Sequence, residues 1–186
     1  EFVPPLKVSP DLTPPNLILL AHGQDNPFYH YHEAGMPWID PGYSAIDARD
    51  GNLTAQVEID GHQSFIHSGS FTLTYKVADS AGNEAEEHRH ITVDDRTHPT
   101  LALEGDAAIR HEAGMPWVDP GYHAEDTVDG NLTGEVTTTG FVDPSVVGNY
   151  ELRYDVKDGA GNSSPTLIRQ VSVKDTTKPT LHMTGA

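Results

Sequence analysis

The chain has 186 residues and no cysteine, so it has room for two small domains and no disulfide to reinforce either. Eleven Lys and Arg stand against 28 Asp and Glu, a formal charge of −17 that repels nucleic acid and anionic membranes. That balance suits a secreted acidic protein or one that collects divalent cations, and no apolar run approaches the roughly 20 residues needed to cross a bilayer.

The chain opens Glu1-Phe2 without Met, which reads as an excised fragment with cloning residues at its start. Residues 1–10 carry three prolines and no apolar period, as a linker does. Next comes Asp11-x-Thr13-x-Pro15-x-Leu17, which returns as Asp95-x-Thr97-x-Pro99-x-Leu101 and again as Asp175-x-Thr177-x-Pro179-x-Leu181. A longer segment, residues 32–43, reads HEAGMPWIDPGY and recurs 79 residues later at 111–122 with one change, Ile39 to Val118. Such self-similarity marks a tandem repeat. The expected organisation is a linker over 1–10, one domain over 11–94, a second over 95–174, and the start of a third repeat or a linker over 175–186, with the natural protein expected to continue beyond it.

Within each repeat the apolar period is two, the period of a strand with one wet face. Leu17 alternates with Leu19, and Leu101 with Leu103. Phe71, Leu73, Tyr75 and Val77 share one face in the first copy, and Tyr150, Leu152, Tyr154 and Val156 do so in the second. Ile91 and Val93, with Val171 and Val173, mark the last strand of each copy, and Val57 and Ile59 mark a middle one. Asp-Pro-Gly, Asp-Gly-Asn and Ala-Gly-Asn turns separate the strands in both copies. Short strands at this spacing, with no helical segment between them, predict an all-β fold of two tandem antiparallel sandwiches.

These residues resemble a family, the bacterial immunoglobulin-like domain named after a pesticidal crystal protein. The likeness runs through residues 40–47, 50–54 and 69–83 of the first copy and 119–126, 129–133 and 148–162 of the second, with Phe71 in the first Tyr place. The resemblance implies an Ig-like sandwich in a secreted or surface-displayed bacterial protein, set beside enzymes or adhesins in a string of domains. It implies no shared catalytic residues.

An Ig-like sandwich gathers its chain start, B–C loop and F–G loop at one end. Asp94, Asp95, Asp126, Asp129, Asn131 and Asp158, with Asn162, are therefore candidates to converge around the second copy. The corresponding set in the first copy is Asp11, Asp47, Asp50, Asn52, Asp79 and Asn83. Hard oxygen donors from several loops are what Ca²⁺ takes, and such an ion would set the angle between repeats. The same residues are also ordinary turn formers. Trp38 and Trp117, with Tyr43 and Tyr122, read either as a sugar-stacking pair in each copy or as core anchors. His30 with His32, and His88 with His90, have a one-face spacing that Zn²⁺ or Cu²⁺ could use, but without a third ligand they read as surface histidines.

No nucleophile elbow is present. Glu86 and Glu87 are adjacent on a strand and face opposite ways, so they form no glycosidase pair. Ser64, Ser68 and Ser70, near His62 and His67, have Asp143, Pro144 and Ser145 at their second-copy counterparts. The expected function is a non-catalytic spacer or adhesion segment of a larger extracellular bacterial protein. The alternative is a carbohydrate- or ligand-binding accessory module of a secreted hydrolase. Expected partners are neighbouring domains of the same polypeptide and a polysaccharide or cell-surface ligand.

Overall fold

A computed structural model of the protein describes residues 9–22, 26–61 and 64–183. Residues 1–8 of the expected linker over 1–10, His62, and residues 184–186 of the expected segment over 175–186 lie outside these ranges. The chain divides into two compact units, Glu1–Asp95 and Arg96–Ala186. The division falls one residue past the Asp94-Asp95 junction of the repeat frame.

In the first unit, β1 (Asn16–Leu19), β3 (Tyr43–Asp47) and β4 (Gly51–Asn52) form a three-stranded sheet in the order β1-β3-β4. The facing sheet contains β2 (Tyr29–Glu33), β5 (Glu58–Asp60), β6 (Gly69–Ala78) and β7 (Glu84–Asp94), in the order β2-β7-β6-β5. The second unit repeats this layout. Its smaller sheet is made of β8 (Thr100–Leu103), β10 (Tyr122–Asp126) and β11 (Gly130–Asn131). Its larger sheet is β12-β13-β14-β9, from β9 (Ala108–Glu112), β12 (Thr137–Thr139), β13 (Gly148–Asp155) and β14 (Leu167–Lys174).

The period-two reading gives the buried face. Leu17 and Leu19 from one sheet meet Leu73, Tyr75, Val77, Ile91 and Val93 from the other, all buried. In the second unit Leu152, Tyr154, Val156, Val171 and Val173 fill the same places, and Ala124, Leu132 and Val156 form one apolar cluster with Leu101 and Val136 against it. Burial of this kind stabilises by about 25 cal/mol per Å² of apolar surface removed from water.

Two features depart from a purely alternating antiparallel picture. β2 runs parallel to β7, and β9 runs parallel to β14. No crossover helix is needed, because the other strands of the unit lie between the partners in sequence. β7 is eleven residues long and β14 only eight. Ser164-Pro165 stands where the first copy has its early β7 residues, and proline offers no N–H to a ladder. There the hairpin keeps only an isolated bridge, Lys157 to Ser163.

Candidate metal centre

The most strongly repeated feature is a buried arginine. Arg89 sits at an inward position of β7, in phase with Ile91 and Val93, and is fully buried. Its Nη1 donates to Asp40 Oδ1 at 2.6 Å, its Nη2 to the carbonyls of Leu20 (2.9 Å) and Gly42 (3.1 Å), and its Nε to that of Pro27 (3.1 Å). The guanidinium carbon lies 5.3 Å from the Tyr75 ring centroid, and the Tyr75 hydroxyl donates to the other Asp40 oxygen. Burial first, and then the bond to Asp40, push the Tyr75 phenol far above its ordinary pKa. Arg169 repeats the Nη contacts in the second unit, bonding Asp119 and the carbonyls of Glu104 and Gly121, with Tyr154 donating to Asp119, while its Nε is buried without the hydrogen bond that Arg89 makes to Pro27. The Asp-Pro-Gly turn supplies both carboxylate and carbonyl. Gly42 takes φ +105° and Gly121 φ +109°, a region open chiefly to glycine. A charged residue on the apolar phase of a strand, at the same place in both copies, was the sequence signal for this network.

The acidic loops divide into two groups. Asp158 Oδ1 accepts the Asn162 amide at 2.8 Å and Oδ2 accepts Asn162 Nδ2 at 2.8 Å, which closes the β13–β14 turn. Burial works to raise the Asp158 pKa, and the Asn162 and loop-amide bonds outweigh it, so the net shift is downward. Asp79 and Asn83 close the β6–β7 turn in the same way, and the Asn83 side chain is the main cause of the lowered Asp79 pKa. Asn131 and Asn52 accept the amides of Thr133 and Thr54, each at 2.9 Å, and support short 3-10 turns at Thr133–Glu135 and Thr54–Gln56. These six residues all make turn hydrogen bonds. Asp94 ends β7, where its carbonyl accepts the Ala34 amide at 3.0 Å.

Of the remaining acids, Asp126 and Asp129 share one loop of the second unit, and Asp95 is the last residue of the first. Asp126 is 9% exposed; its Oδ1 accepts the amides of Val128 (2.7 Å) and Asp129 (3.1 Å), and its Oδ2 is buried without a hydrogen-bond partner. Asp129 Oδ2 accepts the Gly159 amide at 2.7 Å. In the first repeat, Asp47 and Asp50 use their oxygens comparably. Asp47 Oδ1 takes the Arg49 and Asp50 amides, and Asp50 takes the Ser80 amide and hydroxyl. Asp11 binds the hydroxyl and amide of Thr13, which with the Arg49 charge hold its pKa below the ordinary value.

Trp38 is half-buried. Its ring meets His30, His32 and Phe65 edge-on, with centroids 5.4–5.7 Å away. Trp117 is packed by His111 at 5.3 Å, and Pro144 stands where the first repeat has Phe65. Tyr43 and Tyr122 belong to another cluster, against Tyr75 (5.4 Å) and Tyr154 (5.3 Å). Of the histidine pairs, His88 and His90 lie on the exposed face of β7, bonded to Thr74 and Thr72.

Sheet order, strand phase and the repeated turn network define a pair of immunoglobulin-like β-sandwich modules. The chain belongs to the family described as bacterial surface protein, Ig-like domain, which it matches at residues 29–93 and 101–173. It is 27% identical over 149 residues to the pesticidal crystal protein Cry22Aa of Bacillus thuringiensis, an alignment that covers 74% of this chain and 20% of that protein. Among solved structures, it is similar to the lipoprotein BT2262 of Bacteroides thetaiotaomicron (38% identity, 44% of this chain, 40% of that one, TM-score 0.40). It is also similar to a Clostridium perfringens ZmpB fragment containing CBM51-2 in complex with GlcNAc and INT domains (28% identity, 48% and 17%, TM-score 0.34). No helix among the described residues is long and apolar enough to cross a membrane.

Proposed function

We propose that the chain is a non-catalytic tandem module that spaces or presents other domains of a larger extracellular bacterial protein. One observation carries this reading. The side chains that the two copies share are committed to the fold: the Arg–Asp–Tyr network, the Asp-Pro-Gly turn and the Asp–Asn closed hairpins. The outer faces are not shared. Where β2 presents Tyr29 and Tyr31, β9 has Ala108 and Arg110. A spacer needs its fold repeated and leaves its surface free to vary, whereas a ligand site common to the module would recur in both copies.

The accessory-module reading rests on that same face of the first unit. Tyr29 is 63% and Tyr31 77% exposed, two apart on one side of β2, and the Tyr29 ring stacks on His90 at 5.2 Å. Flat exposed rings of this kind can carry a sugar. Retention of the chain on immobilised polysaccharides and on intact bacterial cells separates the two readings. The spacer reading expects no retention on either. Retention on a polysaccharide that disappears in a Tyr29→Ala, Tyr31→Ala variant of unchanged stability would establish the accessory module instead.

A further inference from the structure

We infer that His88 and His90, on the outer face of the larger sheet of the first unit, chelate one divalent transition-metal ion, with Cu²⁺ the tightest binder, and that Glu86 is the third protein ligand. The three residues are exposed and stand two positions apart on β7, so all of them project from one face.

Both imidazoles are held by the neighbouring strand. The register sets Thr74 opposite His88 and Thr72 opposite His90. The Thr74 hydroxyl lies 3.2 Å from His88 Nδ1, and the Thr72 hydroxyl 3.1 Å from His90 Nδ1. With the hydroxyl accepting from Nδ1–H, each ring keeps its lone pair on Nε2, the arrangement of a metal ligand oriented through its other nitrogen. Tyr29 stacks on the His90 ring at 5.2 Å. Glu86 Oε1 stands 3.1 Å from His88 Nε2, while Oε2 meets Lys76 Nζ at 3.1 Å. Donors bound to one ion at about 2.1 Å sit roughly 3 Å apart, so these two share an ion with little movement. His90 reaches the same ion by side-chain rotation on an open face. Two imidazole nitrogens select against Ca²⁺ and Mg²⁺, and Cu²⁺ heads the affinity order of the divalent first-row ions. Glu58 and Asp60 stand in the same cross-strand rows as Glu86 and His88, and their charge concentrates cations at this face.

The second unit is an internal control. Where His88 and His90 flank Arg89, Ile168 and Gln170 flank Arg169, and Arg153 and Glu151 face them in place of the two threonines. Glu151 bonds Arg153 at 2.6 Å and accepts from Gln170 at 2.8 Å, so this face satisfies itself and offers no imidazole. The other pair with the same spacing, His30 and His32, packs edge-on against Trp38, and His32 Nε2 lies 2.9 Å from the Met36 carbonyl. One site per chain follows.

The test is titration of the whole chain with CuCl₂ at neutral pH, followed by calorimetry and electron paramagnetic resonance. The wild-type chain should take up one ion, and its spectrum should carry the splitting of two equatorial nitrogens. His88→Gln with His90→Gln should abolish that uptake, and it should melt like the wild type because both side chains are exposed. Thr72→Val with Thr74→Val should keep the two-nitrogen spectrum and weaken binding about tenfold, the usual cost of losing the groups that orient metal ligands. His123→Gln, an exposed histidine of the second unit, should change nothing. Absence of saturable uptake at millimolar Cu²⁺ overturns the proposal. So does a His88→Gln, His90→Gln chain that binds like the wild type, or an equal loss in His123→Gln, the mark of ions dispersed over surface histidines. Unchanged affinity in the threonine variant overturns the orienting role of Thr72 and Thr74.

Discussion

The loop Asp47-Ala48-Arg49-Asp50 of the first unit and the loop Asp126-Thr127-Val128-Asp129 of the second use the same backbone amides to hold their leading aspartate, and they differ in charge. Two of the four positions separate them, Ala48 against Thr127 and Arg49 against Val128, and only the second changes the charge. The Arg89 and Arg169 networks show the opposite behaviour. Each repeat keeps the arginine, the aspartate, the tyrosine and the turn carbonyl, in the same roles. The contrast shows where the module tolerates change. A charge buried in the sandwich must be matched by its own chain at every copy, because leaving it unmatched is worth several kcal/mol. A loop at the sandwich's end borders solvent, where a charged side chain and an apolar one are both tolerated.

The largest effect is expected where the repeats agree. Asp40→Ala and Asp119→Ala each leave a fully buried arginine without its counter-ion, and each should destabilise its own unit by about 3–5 kcal/mol in chemical denaturation. Similar losses in both units would confirm that the network supports the fold twice over. A variant that melts like the wild type would show that the backbone carbonyls alone satisfy the guanidinium.

The tryptophan corner gives a smaller, asymmetric effect. Trp38→Ala removes a ring packed against His30, His32 and Phe65 and should cost about 3 kcal/mol, the lower end for aromatic truncation, because the ring is only half-buried. Trp117→Ala should cost less, since Pro144 replaces the phenylalanine. Equal costs measured by thermal melting would mean that the ring cluster adds nothing beyond burial.

The smallest effect is local. Glu112 accepts hydrogen bonds from the amides and hydroxyls of Thr176 and Thr177, just past the end of β14. The Thr176 hydroxyl, then its amide and the Thr177 hydroxyl, lower the Glu112 pKa to about 2. A carboxyl depressed on folding contributes its stabilisation above its ordinary value and loses it as pH falls toward the folded one. Hydrogen exchange at Thr176 and Thr177 should therefore be protected at neutral pH and become unprotected between about pH 4.5 and 2. Glu112→Gln should remove that protection at every pH without shifting the melting of the sandwich. Unchanged exchange in the variant would show that the segment after β14 is held by other contacts.

The sequence alone determined what depends on local period and local turn chemistry. The 79-residue repeat, the inward phase of Leu73, Tyr75 and Val77, and the Asp-Pro-Gly and Ala-Gly-Asn turns follow from alternation and from glycine's access to positive φ. Family membership follows from those same residues. The tertiary structure decided which distant groups meet. Arg89 finds Asp40 forty-nine positions back and the Leu20 carbonyl sixty-nine back. Composition and spacing could not tell Asp126, with its lone buried oxygen, from Asp158, with both oxygens filled by Asn162. The candidate acids look alike in sequence because they sit in turns or at the strand ends that lead into them. They differ only in whether a donor has been folded against the second oxygen, and hydrogen bonds and charge compensation are matters of ångströms in space.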